Sequence, residues 1–384
     1  MELIDSARGD ESAGISAGAG LHGRLVGPDV TRALALIGVV VMNYHGYLNG
    51  GAAAAEPGDG FAARLFDPWT GVLSTRFAAT FMLVAGVGVT LLTDRSRRSG
   101  DRTAVAADRW RLVRRGAVLY GGGFVLDWIW PGTILFFYGA MFVVAGIIFT
   151  LRTRWIATIG VASAVGAALV NWWAVLRTDD GRYPAWLLSP STLDTRSPRG
   201  LLFDTFVNGT HPLLPWLAFL CAGIVLGRRI RDLRLVPTAA CGAGVVAVTY
   251  ALSHFLTNGH AGDTVRVAVL STSPFDRGLL YTLNAMGSSV FVLCVASRLA
   301  QPRPNAAAVR VLQVAGQTTL SLYVLHVLVF NLIVQRWALL RPTGLDTALA
   351  FALGFWLTAI AIAWMWHRRF GRGPLEALYR RFGG

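Results

Sequence analysis

The chain has 384 residues, of which 54% are hydrophobic and only 15% charged, and its formal net charge at pH 7 is +14. Its apolar residues come in runs of about 20, the length that crosses a bilayer, so the composition predicts a polytopic membrane protein and excludes an ordinary soluble domain. All 35 basic residues are arginine, which excludes a lysine base, and we interpret their charge as an orientation signal and contact with membrane lipids, with no nucleic-acid partner.

The fold class predicted from these runs is an all-α bundle of about ten transmembrane helices. We expect residues 24–370 to form one transmembrane domain, between a disordered cytoplasmic tail at 1–23 and a basic cytoplasmic tail at 371–384. The predicted spans lie near residues 30–48, 72–93, 113–130, 132–151, 154–176, 202–226, 235–257, 277–299, 318–340 and 346–367.

The arginines predict the orientation of the bundle. They cluster between spans, for example at 95–115 and 368–381, and every cluster falls on one side if ten spans alternate. The positive-inside rule then places both termini in the cytoplasm and the chain as a multi-pass protein in the plasma (inner) membrane.

The first span has polar residues at both ends. Asp29 and Arg32 can pair on one helix face near the cytoplasm, either to orient the helix start or to contact a cytoplasmic ligand. Asn43, Tyr44 and His45 follow towards the outer half. Because an ionisable residue inside lipid costs about 2.5 to 3.5 kcal/mol, several in one span indicate a functional site.

The second span begins with Arg76 and continues to the small-residue stretch 85–88. Arg76 either extends to the outer headgroups or contacts an acyl carbonyl or an acidic acceptor. The small residues indicate close helix packing rather than phosphate binding.

Two later spans contain buried histidines. His211 precedes Pro212 and Pro215, which predict a broken helix of the kind that lines a polar cavity, although a structural histidine is the alternative. His326 shares a helical stripe with Gln317, and this group either lines a site or only holds helices together. No zinc, P-loop or thiol-pair pattern is present, so we expect no metal, and proton transfer by histidine fits best.

Four segments carry a family resemblance through their order and spacing. They are Asp29-x-x-Arg32 with Asn43-Tyr44, Ser74-x-Arg76-Phe77 to Gly86-x-Gly88, His211-Pro212-x-x-Pro215-Trp216 followed by Gly223 and Gly227, and Gly316 to His326. In these segments the chain resembles the YeiB-like DUF418 proteins and the related heparan-alpha-glucosaminide N-acetyltransferase (DUF1624) group of the transmembrane acyltransferase superfamily. In that group an asparagine at the place of Asn43 works with a histidine about eleven residues further along, where this chain has Ala54, and the nearest histidine is His45.

The resemblance implies transfer of an acyl group, acetyl in the first place, from cytoplasmic acyl-CoA to a hydroxyl or amine of a glycan, glycolipid or related acceptor outside. We expect His45 to act as general base and Asn43 to hydrogen-bond the thioester carbonyl. Arg114 and Arg115 would hold the CoA phosphates. The expected substrate contacts are Tyr44, Arg76, His211, His326, Asp29 and Arg32.

Two other function classes remain open at this stage. A transporter or flippase could use the same polar residues as a substrate path, without a covalent product. A structural partner in an envelope-assembly complex would neither bind CoA nor transport. A homodimer is also left open.

Overall fold

The computed structural model describes residues 25–48, 60–188, 197–275, 277–340 and 344–384. Most of these residues are helical, and none of them lies in a β-strand, which confirms the predicted all-α class. The helices are α1 (Val26–Leu48), α2 (Phe61–Phe66), α3 (Arg76–Ser99), α4 (Arg102–Asp127), α5 (Leu135–Ile148), α6 (Thr153–Asp179), α7 (Ala185–Leu188), α8 (Pro198–Phe203), α9 (Leu213–Gly227), α10 (Leu235–Thr257), α11 (Thr264–Leu270), α12 (Leu279–Ala300), α13 (Ala307–Gln317), α14 (Thr319–Phe330), α15 (Leu345–Phe370) and α16 (Pro374–Gly383), with π-helical turns at Asp204–Asn208 and Asn331–Arg336.

Seven helices of the described chain are long and apolar enough to cross a membrane, and a bent pair, Arg199–Asn208 with Leu213–Gly227, makes an eighth. The seven are α1, α3, α6, α10, α12, α14 with its π-helical turn, and α15. The chain is therefore a multi-pass membrane protein, but the predicted count of ten is not confirmed. The two remaining predicted spans fall on α4, whose first half is rich in arginine, and on α5, whose 14 residues extend only about 21 Å.

Helix α1 lies at the centre of the bundle and contacts α3, α12, α13, α14 and α15. Most of its residues are buried, including the polar side chains of Asp29, Thr31 and His45. A helix enclosed in this way has little surface for lipid, so its polar groups face protein or cavities.

Helices α3 and α9 approach each other closely through two glycines. A Cβ atom added at Gly86 would lie 2.2 Å from the carbonyl oxygen of Leu220, and one added at Gly223 would lie 1.9 Å from that of Leu83. No side chain fits there, because backbone atoms cannot move aside cheaply. The small residues of span 2 therefore serve helix packing, as the sequence predicts.

The C-terminal segment 371–384, predicted as a basic tail, contains α16, which packs against α4 and α14. The Arg115 guanidinium donates a hydrogen bond to the Gly384 carbonyl at 3.2 Å. The predicted tail at 1–23 and the position of Ala54 lie outside the described residues.

Candidate functional site

One end of the bundle contains a cavity of about 650 Å³, here called the arginine cavity. This volume is in the range of pockets for small molecules and cofactors, about 300 to 1,000 Å³. Its wall combines leucine-rich apolar surface with guanidinium, carboxylate, amide and phenol groups. The lining residues with charged, amide or phenol groups are Asp29, Arg32, Arg115, Tyr138, Arg231, Gln317, Tyr323, Glu376, Tyr379 and Arg380.

Asp29 and Arg32 form the ion pair that their spacing predicts, with 3.5 Å between Arg32 Nη1 and Asp29 Oδ1. Arg32 also donates to the Gly316 carbonyl at 3.3 Å, and the Gln317 amide donates to Asp29 at 3.2 Å. The pair therefore ties α1 to the end of α13 and still lines the cavity. The pair can therefore hold the start of α1 and still contact a ligand, so the structure does not separate the two alternatives left open by the sequence, orientation of the helix start and ligand contact.

Helix α16 closes one side of the arginine cavity. The Glu376 carboxylate accepts hydrogen bonds from the backbone N–H groups of Leu320 and Ser321, at 2.7 and 3.0 Å, at the start of α14. These donors have no partner within their own helix, and a carboxylate is the group that a helix N-terminus favours. Glu376 therefore fastens α16 over the cavity.

The Arg115 guanidinium lies 5.4 Å from the centre of the Tyr379 ring. Burial raises the pKa of the Tyr379 phenol, and nearby Arg115 and Arg32 oppose this only in part, so the phenol is neutral at pH 7. Arg115 lines the cavity, as expected of a phosphate ligand. Arg114 is exposed and does not line it, so the structure separates the two arginines that the sequence grouped together.

A second cavity, of about 270 Å³, lies further along α1 and is here called the histidine cavity. Asn43 and His211 both line it, so the structure brings together two of the predicted site residues from distant parts of the chain. The remaining lining residues are Val39, Met42, Gly46, Tyr47, Pro68, Trp69, Ser74, Thr75, Phe77, Ala78, Pro131, Gly132, Ile134, Thr210 and Phe275.

His211 lies at the break between the two halves of the bent span, where the helix axis bends by 57°. The break confirms the effect predicted for the prolines, because Pro212 immediately precedes α9. The His211 ring packs against Trp216, with 4.5 Å between ring centres, and its Nδ1 lies 2.9 Å from the Thr210 hydroxyl. Within the described chain its Nε2 has no hydrogen-bond partner, which leaves that nitrogen for a ligand.

Arg277 holds the backbone of this break in place. Its guanidinium donates to the carbonyl oxygens of Val207, Asn208 and Gly209, at 3.2 Å for Asn208 and 2.6 Å for Gly209. These carbonyls end the first half of the bent span and have no helical partner. Sequence reasoning missed Arg277, because nothing distinguishes it from the other arginines until the fold places it beside the break.

The Asn43 side chain is positioned by a hydrogen bond with His326. The Asn43 amide nitrogen lies 3.1 Å from His326 Nε2, and His326 Nδ1 contacts the Tyr323 carbonyl. A carbonyl only accepts, so Nδ1 carries the hydrogen, and Nε2 of the neutral ring accepts from the Asn43 amide. His326 is fully buried and lines neither cavity. It therefore orients Asn43 rather than facing a ligand.

Three other predicted site residues line neither cavity. The His45 Nδ1–H donates to the Phe66 carbonyl at 2.8 Å, which ties the end of α1 to α2. The Tyr44 hydroxyl donates to the His326 carbonyl at 3.0 Å. Arg76 is 5% exposed, and its guanidinium donates to the Ser74 and Thr272 carbonyls and to Asn284 Oδ1. It therefore neither extends to a headgroup nor reaches a cavity.

One face of α1 connects the two cavities. Asp29, Arg32, Leu36 and Val39 line the arginine cavity, and Val39 and Asn43 line the histidine cavity. Their spacing of three or four residues places them on a single stripe of the helix. Arg32 and Asn43 are about 16 Å apart along the axis at 1.5 Å per residue.

The fold and these cavities define an all-helical, multi-pass membrane protein with two cavities along one central helix. Residues 24–253, more than half of the chain, match the family model for the catalytic region of heparan-alpha-glucosaminide N-acetyltransferase. The chain belongs to this family, which indicates a membrane acetyltransferase-like function. Residues 243–383 match a family described as a protein of unknown function, DUF418. Both matches confirm the resemblance seen in the sequence, while no curated protein matches the chain.

Proposed function

We propose that this protein is a membrane acyltransferase, which transfers an acetyl group from acetyl-CoA in the arginine cavity to a hydroxyl or amine in the histidine cavity. The observation that carries this proposal is the single face of α1 that lines both cavities. A donor and an acceptor bound at its two ends would meet close to Asn43. The family to which the chain belongs supports acetyl-CoA as the donor.

The arginine cavity suits the phosphates of CoA. Four guanidinium groups line it, those of Arg32, Arg115, Arg231 and Arg380. The carboxylates on its wall are already engaged, Asp29 by Arg32 and Gln317 and Glu376 by the start of α14. Guanidinium groups bind phosphate oxygens through paired hydrogen bonds, so the cavity favours a polyanionic ligand.

His211 and Asn43 supply the chemistry at the other end. Acetyl-CoA brings an activated thioester when it is bound. His211 Nε2 removes the proton from the acceptor hydroxyl or amine as that atom forms its bond to the acyl carbon. Asn43 has a second amide N–H beyond the one that contacts His326, and it stabilises the negative charge on the carbonyl oxygen. The C–S bond then breaks, and His211 returns the proton to the CoA sulfur.

The histidine cavity suits a sugar-like acceptor. Trp69, Phe77 and Phe275 give it flat apolar walls, with 5.6 Å between the Trp69 and Phe275 ring centres. Thr210 and His211 add hydrogen-bonding groups. The related family's name refers to a glucosaminide, so an amino sugar within a glycan or glycolipid is the first acceptor to test.

The direction of transfer depends on the orientation of the bundle. We propose that the arginine cavity opens towards the cytoplasm, in agreement with the positive-inside rule, and that both termini lie there. The acceptor would then be modified on the outer side of the plasma membrane.

The decisive experiment uses the purified protein in liposomes with radiolabelled acetyl-CoA and a panel of glucosaminides. We expect a labelled, covalently acetylated product, and we expect Asn43→Ala and His211→Ala to abolish most of it. Labelling that persists in both variants would contradict the assigned roles.

A transporter or flippase is the competing function, since two cavities separated by side chains also suit alternating access. It predicts acceptor uptake into liposomes without acyl-CoA and without a covalent product. That result would replace the enzyme proposal.

A further inference from the structure

Val39 and Ile134 line both the arginine cavity and the histidine cavity, so these two side chains form the partition between them. We propose that this partition selects the acyl group by its width, admitting unbranched acyl chains and excluding those branched next to the carbonyl. The proposal rests on the acyl transfer proposed above and adds the substrate class that the site accepts.

Both partition residues are buried, Val39 at 6% exposure and Ile134 at 7%. Val39 lies one helical turn before Asn43 on α1, about 6 Å along the axis. Valine and isoleucine are branched at Cβ, which restricts rotation about χ1 and makes their side chains stiff. A passage between two such side chains has a nearly fixed width.

Ile134 is also held through its backbone. It directly precedes α5, and its N–H donates to the Tyr323 hydroxyl at 3.2 Å, while the Thr133 hydroxyl lies 3.1 Å from the same oxygen. Tyr323 is fixed in turn by His326, whose Nδ1 donates to its carbonyl. One network of contacts therefore includes both the backbone of Ile134 and the side chain of Asn43.

The route of the acyl group explains why the width of the partition would determine which acyl groups are transferred. An acyl group carried by CoA from the arginine cavity must pass Val39 and Ile134 before its carbonyl reaches Asn43. The cysteamine and β-alanine units of CoA, which directly follow the thioester, are themselves unbranched, so a straight acyl group needs no wider passage. A methyl branch next to the carbonyl meets the partition directly. The bonds formed and broken are those of the acyl transfer already described.

The experiment compares n-butyryl-CoA with isobutyryl-CoA, two isomers that differ only in branching, using acetyl-CoA as the reference donor. Val39→Ala and Ile134→Val widen the partition. Val40→Ala is the matched control, because Val40 is a fully buried valine on α1 that lines neither cavity.

We expect the wild-type protein to prefer the n-butyryl donor, and the isobutyryl to n-butyryl rate ratio to rise about tenfold in Val39→Ala, since one methylene changes selection by about 10 to 200-fold. Ile134→Val should raise the ratio less. Because this substitution is milder, it still tests the partition if the alanine variant does not fold. A wild-type ratio near one, or equal changes in Val40→Ala, would overturn the partition. Absence of transfer from every donor, acetyl-CoA included, would overturn the acyltransferase proposal itself.

Discussion

Asn43 of α1 and His326 of α14 form a hydrogen bond of 3.1 Å between residues 283 positions apart in the chain. Only Asn43 faces the histidine cavity, while His326 lies behind it and is fixed by the Tyr323 carbonyl. The pair therefore separates two positions: Asn43 lines the cavity, where we propose that it contacts the reacting group, and His326 sets its orientation. A buried hydrogen-bonded pair of this kind restricts the amide to one rotation.

The Asn43–His326 pair can be tested by a double-mutant cycle on acetyl transfer. Asn43→Ala should lower kcat by about 10²- to 10³-fold, the usual effect of losing one oxyanion donor. His326→Ala should lower it less, and the double variant should be no worse than Asn43→Ala, because His326 acts through Asn43. His326→Gln offers another acceptor to the Asn43 amide and should recover part of the rate. Additive losses would show that His326 has a separate role.

Substitutions of His211 and of His45 are expected to have different effects. His211→Ala should lower kcat by about 10²- to 10⁴-fold through loss of a general base. His45→Ala should keep most of the transfer rate and instead lower stability by about 1 kcal/mol, because it loses the hydrogen bond to the Phe66 carbonyl. Steady-state rates and thermal unfolding in detergent measure the two effects. The reverse pattern would support the base assignment made from sequence.

The all-α membrane bundle could be predicted from the sequence, although the number of its spans could not. The position of Asn43 beside a cavity agrees with the predicted site, because a polar residue in an apolar span has few tolerated environments. The sequence could not choose between His45 and His211. His45 is near Asn43 in sequence, but the helix turns successive side chains to different faces, and His45 points towards α2. His211 reaches the same cavity from another helix, through a break whose direction depends on tertiary contacts such as those of Arg277.

The neighbouring arginines Arg114 and Arg115 provide a test of donor binding. Arg115→Ala should raise the KM for acetyl-CoA about tenfold, since it removes a charged hydrogen-bond donor from the cavity wall. Arg114→Ala is the control, because Arg114 is exposed and outside that wall. The KM of the wild-type protein should also rise with salt, as expected for phosphate contacts of partly exposed arginines. Equal KM changes in the two variants would place the CoA phosphates elsewhere.

Because α3 packs closely on α9, we expect even a glycine-to-alanine substitution at their contact to lower the stability of the protein. In Gly86→Ala the new methyl group would lie 2.2 Å from the Leu220 carbonyl oxygen and 2.8 Å from the Ile224 nitrogen. Because both are backbone atoms, the helices must separate, which should lower stability by about 1 to 3 kcal/mol. Gly121→Ala is the matched control, since Gly121 is also helical and a Cβ there meets nothing within 4 Å. This control should be neutral or stabilise the helix by up to about 1 kcal/mol. Thermal unfolding in detergent compares the two, and equal stability would contradict the close approach of α3 and α9.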